Sequence, residues 1–202
     1  MMKRSLIKKA VFAAIGAFCS ITALANVNVV AKIGETEYET LQAALTAAGT
    51  TAGVEVTLIK DTTENITIPA GFNGTIDLGG KTLNGGVLAY FANENSADFI
   101  IENGNIYCET PVASEGNKGA ILVKNISLKL VNVNLTTHYH GIRMHNGAYV
   151  EIDGGEYTVV HNKASTYRLL NVKAGAVKVL DGVFQKSGDY NGAESAAVIA
   201  VA

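Results

Sequence analysis

The chain has 202 residues, 48% of them hydrophobic and 17% charged, with 21 glycines and two prolines. Four of its sixteen Lys and Arg residues and none of its eighteen acidic ones fall in the first 25 positions, so residues 26–202 carry 12 − 18 = −6. That balance argues against nucleic acid or an anionic membrane as partner, and the single cysteine past residue 25, Cys108, excludes an intrachain disulfide and a cysteine-based zinc site.

Residues 1–25 read as a secretory signal peptide. Lys3, Arg4, Lys8 and Lys9 form a basic start, an apolar run follows from Ala10 to Ala23, and Ala23-Leu24-Ala25 supplies a small-x-small cleavage pattern. Gly16, Cys19, Ser20 and Thr22 interrupt the run, which is short for a membrane span. Phe18 before Cys19 does not suit lipid attachment. The expected product is a secreted or cell-surface chain, periplasmic or extracellular, with no membrane span after cleavage.

Residues 26–53 are expected to form an N-terminal β-hairpin and a short capping helix. Val29 to Ile33 and Glu35 to Glu39 flank a turn at Gly34-Glu35. Leu41, Ala44, Leu45 and Ala48 then fall on one helical face, between Thr40 as N-cap and Gly49 as stop. Such a helix would cover the exposed backbone and apolar residues at the start of a stacked β structure.

Residues 54–202 change to a period of two and repeat. Five segments align without gaps, beginning at Ile76, Phe99, Leu128, Val150 and Val177, and Val56-Thr57-Leu58 is a shorter copy. Each has apolar residues at positions one, three and eight, and Gly, Asn or Asp at position five. Start-to-start spacings are 20, 23, 29, 22 and 27, a range that indicates a solenoid whose extra residues leave as loops. A second strand precedes each segment at Ile66/Ile68, Val87/Ala89, Ile121/Val123, Ile142/Met144 and Leu170/Val172, with a last one at Val198/Ala200. The expected fold class is therefore all-β, a right-handed parallel β-helix with about three strands per rung. Lys129, Glu151 and Lys178 should stack outward with alternating sign, Asn103 and Asn132 should form an amide ladder, and His145 should lie between Lys124 and Lys173.

The stretches Ala31 to Ala44, Val56 to Asp61 and Thr75 to Leu83 resemble the start of bacterial right-handed β-helix repeat proteins of the pectate-lyase-like superfamily. The resemblance covers nearly all of residues 26–202. It implies the fold, and it adds polysaccharide lyase or glycoside hydrolase as an alternative activity.

Insertions at Glu109–Gly119, Thr136–Gly141, His161–Tyr167 and Lys186–Ser195 occupy equivalent places and should emerge on one face. They carry the candidate ligand-binding residues Glu115, His138, Tyr139, His140, His161, Tyr167, Asp189 and Tyr190. Aromatic rings beside carboxylates and amides suit a glycan or a cell-surface protein; ordinary solvated loops are the plainer reading. His138 and His140 are spaced to face one way, but no nearby carboxylate or cysteine completes a metal site, so neither metal nor cofactor is expected. Catalysis lacks support in the same way. Asp77 and Glu151 fall three repeats apart, Glu102 and Asp153 two with Val131 between, and the lyase and polygalacturonase motifs are missing. The expectation is a structural or adhesive module recognising carbohydrate or protein, with a pure spacer as the other alternative. The last repeat stops incomplete at Ala202, so its open edge is expected to continue in a longer chain or to pair with another.

Overall fold

The computed structural model describes residues 28–94, 97–160, 167–188 and 199–201. The signal-peptide reading of residues 1–25, Val198, and the candidates His161, Asp189 and Tyr190 lie outside the described residues.

Strands β1 (Ala31–Ile33) and β2 (Thr36–Tyr38) pair antiparallel across a turn in which Gly34 has φ +55°. Helix α1 (Leu41–Ala48) follows, and Thr40 Oγ1 accepts the Ala43 N–H at 3.0 Å. The buried face of α1 is Leu41, Ala44, Leu45 and Ala48, the set that the 3.6-residue period selects. Strand β3 (Val54–Leu58) pairs antiparallel with β1, Ala31 opposite Leu58, so the hairpin closes one edge of the sheet that β3 begins.

Beyond β3 the chain alternates between two sheets. Short strands β4 (Thr62–Thr63) and β5 (Ile66–Thr67) precede β6 (Gly74–Asp77), and β7 (Thr82–Asn84) and β8 (Val87–Tyr90) precede β9 (Asp98–Cys108). A hairpin of β10 (Val112–Ser114) and β11 (Asn117–Gly119) leads to β12 (Ile121–Lys124) and β13 (Ser127–Thr137). Strands β14 (Ile142–Met144), β15 (Tyr149–Val160), β16 (Leu170–Val172), β17 (Ala176–Ser187) and β18 (Ile199–Val201) complete the order. The protein is mostly β with one helix among the described residues. One sheet runs β17-β15-β13-β9-β6-β3-β1-β2, and the other runs β18-β16-β14-β12-β8-β5. Every pair in the second sheet is parallel, as is every pair from β3 to β17 in the first.

The long strands bend where the repeat places its fifth residue. Gly80, Asn103, Asn132 and Gly154 all take positive φ there, at 73°, 55°, 51° and 86°. Glycine and asparagine are the residues that enter this left-handed region at least cost, so the sequence pattern has a steric cause. In the last repeat Asp181 stands at that place and the positive φ moves to Gly182.

Inward residues alternate with outward ones along each strand and form a continuous apolar core. Ile66, Val87, Ile121, Ile142 and Leu170 pair in succession, as the spacing predicts, but Leu170 and Val172 next pair with Ile199 and Val201 rather than with Val198 and Ala200. A second correction concerns β6. The ungapped alignment sets Ile76 beside Phe99, whereas Ile76 pairs with Ile101 and Asp77 with Glu102. The eighth-position pair Leu83–Ile106 is kept, so Gly79 and Gly80 absorb two extra residues. The ring of Phe99 explains the shift. It sits in line with side-chain-free Gly74 and packs edge-on against Phe72 at 6.3 Å, where an Ile76 side chain in register would compete for the same volume.

Two further expectations are revised. The amide ladder forms at the seventh position, Asn134 Nδ2 donating to Asn105 Oδ1 at 3.1 Å, while Asn103 Nδ2 reaches Asp77 Oδ1 at 3.4 Å. Val179 is not a core residue. It is 44% exposed and Val177 only half-buried, because β17 is the terminal strand of its sheet among the described residues. The charge column is present, with Glu151 bonded to Lys129 and Lys178 at 3.0 Å each.

Candidate functional site

One candidate site is a cavity of about 630 Å³ lined by Thr63, Glu64, Asn65, Asn84, Gly85, Tyr107, Glu109 and Thr110. It forms where the eighth-position strands meet the connection to the second sheet. Leu83 and Ile106 point inward, so the residues after them, Asn84 and Tyr107, face out as direct neighbours. The Tyr107 hydroxyl donates to Glu109 Oε1 at 2.9 Å, which holds its phenol proton above the ordinary range. His138 Nε2 lies 3.4 Å from the same hydroxyl, with its ring edge-on to Tyr107 at 6.1 Å. Glu64 is already committed. One carboxylate oxygen accepts the Leu41 N–H at 2.8 Å and the Thr62 hydroxyl at 2.9 Å, and the other accepts the Gln42 N–H at 3.0 Å. These bonds dock the start of α1 and leave Glu64 as a fixed wall.

The other predicted residues separate into two groups. Tyr139 and Tyr167 lie 5.0 Å apart between ring centres, and His140 meets Tyr167 edge-on at 5.3 Å. His140 Nδ1 accepts the Arg168 N–H at 3.0 Å, and the Asn171 amide lies 3.3 Å from both ring nitrogens. Burial first, then the charge of Arg143, lowers the His140 pKa to about 4. A neutral ring accepting at Nδ1 is a structural anchor. His138 and His140 therefore do not share one ligand position. No group of three or more His, Cys, Asp or Glu suited to a metal ion exists among the described residues.

Glu115 stands elsewhere, at the tip of the β10–β11 hairpin, where it and Gly116 have φ +48° and +75°. The insertion Glu109–Gly119 is thus built structure lying over the second sheet, and Val112 and Leu122 are buried beneath or within it. Glu115 accepts from the Tyr90 hydroxyl at 3.0 Å and from Lys124 Nζ at 3.2 Å. The Tyr90 bond, then the Lys124 bond, lowers its pKa. Cys108 is fully buried, and burial raises its thiol to about 11, so it acts as an inert packing group.

The β6 register also creates a carboxylate pair that the sequence alignment hides. Asp77 and Glu102 are direct cross-strand partners, and burial, then Asp77 and Glu55, raises the Glu102 pKa. Tyr107, Asn84, Asn65, Glu109 and Tyr90 were all missed at the sequence level. For Tyr107 a signal existed: the ninth positions Asn84, Tyr107, Thr136, Thr158 and Gln185 form an outward polar column. No protein-family model, curated protein or solved structure matches this chain.

Proposed function

We propose that the chain is an exported right-handed parallel β-helix that works as a binding module, holding a carbohydrate in the cavity beside Tyr107. Support for the coil comes from parallel pairing in strict chain order in both sheets. Right-handedness follows from the near-universal hand of parallel crossover connections. Support for export is the leader-like composition of residues 1–25.

The observation that carries the binding reading is the Tyr107 cavity. Its volume of about 630 Å³ suits a small ligand, and its wall joins one phenol ring to the amides of Asn65 and Asn84 and the hydroxyls of Thr63 and Thr110. An aromatic ring beside amides, hydroxyls and the Glu109 carboxylate matches a sugar ring, which has an apolar face and hydroxyl edges. Glu64 has both oxygens engaged, so it is not free to act as a catalytic acid.

The test is a glycan array followed by titration of the best ligand into wild type and Tyr107→Ala. The expected loss is about tenfold or more, as for removal of a stacking ring. Absence of glycan binding by wild type, or equal binding by the variant, removes the proposal and leaves the spacer. One observation favours an enzyme instead, the adjacency of Asp77 and Glu102 at roughly the 4.8 Å strand spacing. Reducing or unsaturated sugar released by wild type but not by Glu102→Gln would establish that reading.

A further inference from the structure

The outward face of the second sheet holds a cationic cluster with too few partners. Arg143 projects from the outward position of β14, and His145 follows directly after that strand. Register places Lys124 of β12 on one side of His145 and Lys173, just past β16, on the other. Both Arg143 Nε and His145 Nε2 are buried without a hydrogen-bond partner. Arg143 makes no ion pair among the described residues, and β11 runs over it so closely that a Cβ on Gly119 would lie 3.4 Å from the Arg143 Cβ. Buried polar nitrogens that bond to nothing are costly and point to an absent partner.

One carboxylate reaches the cluster. Glu115 bridges to Lys124 at 3.2 Å, with its own side chain 60% exposed at the hairpin tip. Lys124 also lies 4.8 Å above the Tyr90 ring, and the Tyr90 and His145 rings meet at 5.4 Å. Three permanent cations, Lys124, Arg143 and Lys173, against Glu115 leave two positive charges uncompensated.

We infer that this face binds the phosphate dianion of a phosphomonoester, with Glu115 occupying the cations as an internal stand-in when the site is free. A guanidinium, two ammoniums and an imidazole approaching from three strands match several oxygens better than a planar monocarboxylate. Once Glu115 is displaced, the three permanent cations outnumber the two negative charges that such a group brings, so a dianion is held without excess negative charge. The Glu115 hairpin tip is the movable part, since its turn is exposed and its side chain is held at the surface by the Lys124 ion pair and the Tyr90 hydroxyl. This site is independent of the Tyr107 cavity, and either proposal can fail alone.

His145 reports on occupancy. It is faced by Tyr90 from β8, Lys124 from β12, Arg143 from β14, Lys173 beyond β16 and Glu115 on the hairpin. Burial, then Arg143, Lys173 and Lys124, keeps its pKa low in the free protein. The experiment is an NMR titration of the His145 ring across pH in the full chain, with inorganic phosphate, glucose 6-phosphate and acetate as separate probes. Both phosphates should raise the His145 pKa by about one unit, and acetate should not. Arg143→Met should weaken phosphate binding about tenfold, and Glu115→Gln, an exposed change that leaves the fold intact, should strengthen it about threefold. The inference is overturned if about 20 mM phosphate moves His145 in neither wild type nor Glu115→Gln, or if acetate binds as well as phosphate. Binding of inorganic phosphate without glucose 6-phosphate overturns the ester assignment.

Discussion

His140 should make the protein lose stability on mild acidification. Its ring accepts the Arg168 N–H through Nδ1, a bond that only the unprotonated nitrogen can make. Burial, then the neighbouring Arg143, lowers its pKa from 6.5 to about 4. In the unfolded chain the ring takes a proton near pH 6.5, while the native state refuses it until about pH 4. The unfolded state therefore binds more protons across that window, and stability falls as pH drops from 6.5 toward 4. The interval from 6.5 to about 4, at 1.36 kcal/mol per pH unit, is about 3 kcal/mol, and solvent screening at the partly exposed ring edge reduces it to about 2 kcal/mol. Urea unfolding of wild type and His140→Gln at about pH 7.5 and 4.5 isolates this residue, because other titrating groups are common to both proteins. Glutamine keeps a neutral acceptor for Arg168 without a titrating ring. The stability difference between the two proteins should move in favour of the variant by about 2 kcal/mol on acidification. A difference that stays constant between the two pH values would refute the assignment of His140 as a buried neutral anchor.

Gly104 lies over Leu78 so closely that an added Cβ would sit 2.4 Å from the Leu78 Cβ and 2.8 Å from the Lys81 carbonyl oxygen. Gly104→Ala should cost about 2 kcal/mol in chemical denaturation, and unchanged stability would show that β6 and β9 are less tightly stacked than described. Glu102→Gln should stabilise by roughly 0.5 kcal/mol at neutral pH by removing a charge that burial, then Asp77, disfavours. The sign follows from the raised pKa. The native carboxyl holds its proton above the ordinary range, so the penalty grows as pH rises through that interval and is absent below it. Equal stabilisation at about pH 3 would contradict this origin.

The difference between what was legible and what was not follows from how each feature is encoded. The cap of α1, the period-two strands and the left-handed turns at Gly80, Asn103, Asn132 and Gly154 are local, each set by a few adjacent residues and by backbone sterics. The second-sheet register from Ile66 to Leu170 was also readable, since a one-residue slip would turn every apolar side chain to solvent. A two-residue slip keeps the same faces, so apolar pattern could not choose between Phe99 and Ile101 as the partner of Ile76. Packing chose, through the volume of Phe99 beside Gly74 and Phe72.

The candidate residues show the same division. Sequence alone grouped Glu115, His138, Tyr139, His140 and Tyr167 on one loop face. Tertiary structure joined Tyr139, His140 and Tyr167, sent His138 to Tyr107, and carried Glu115 on a hairpin to Tyr90 and Lys124. It also made the Tyr107 cavity and the Asp77–Glu102 pair from segments that lie far apart in the chain. Sequence by itself determined the all-β class, the short cap and the repeat, because periodicity and turn chemistry act over a few residues. Which side chains meet was left to the stacking of distant strands, where volume and register decide and linear spacing carries no information.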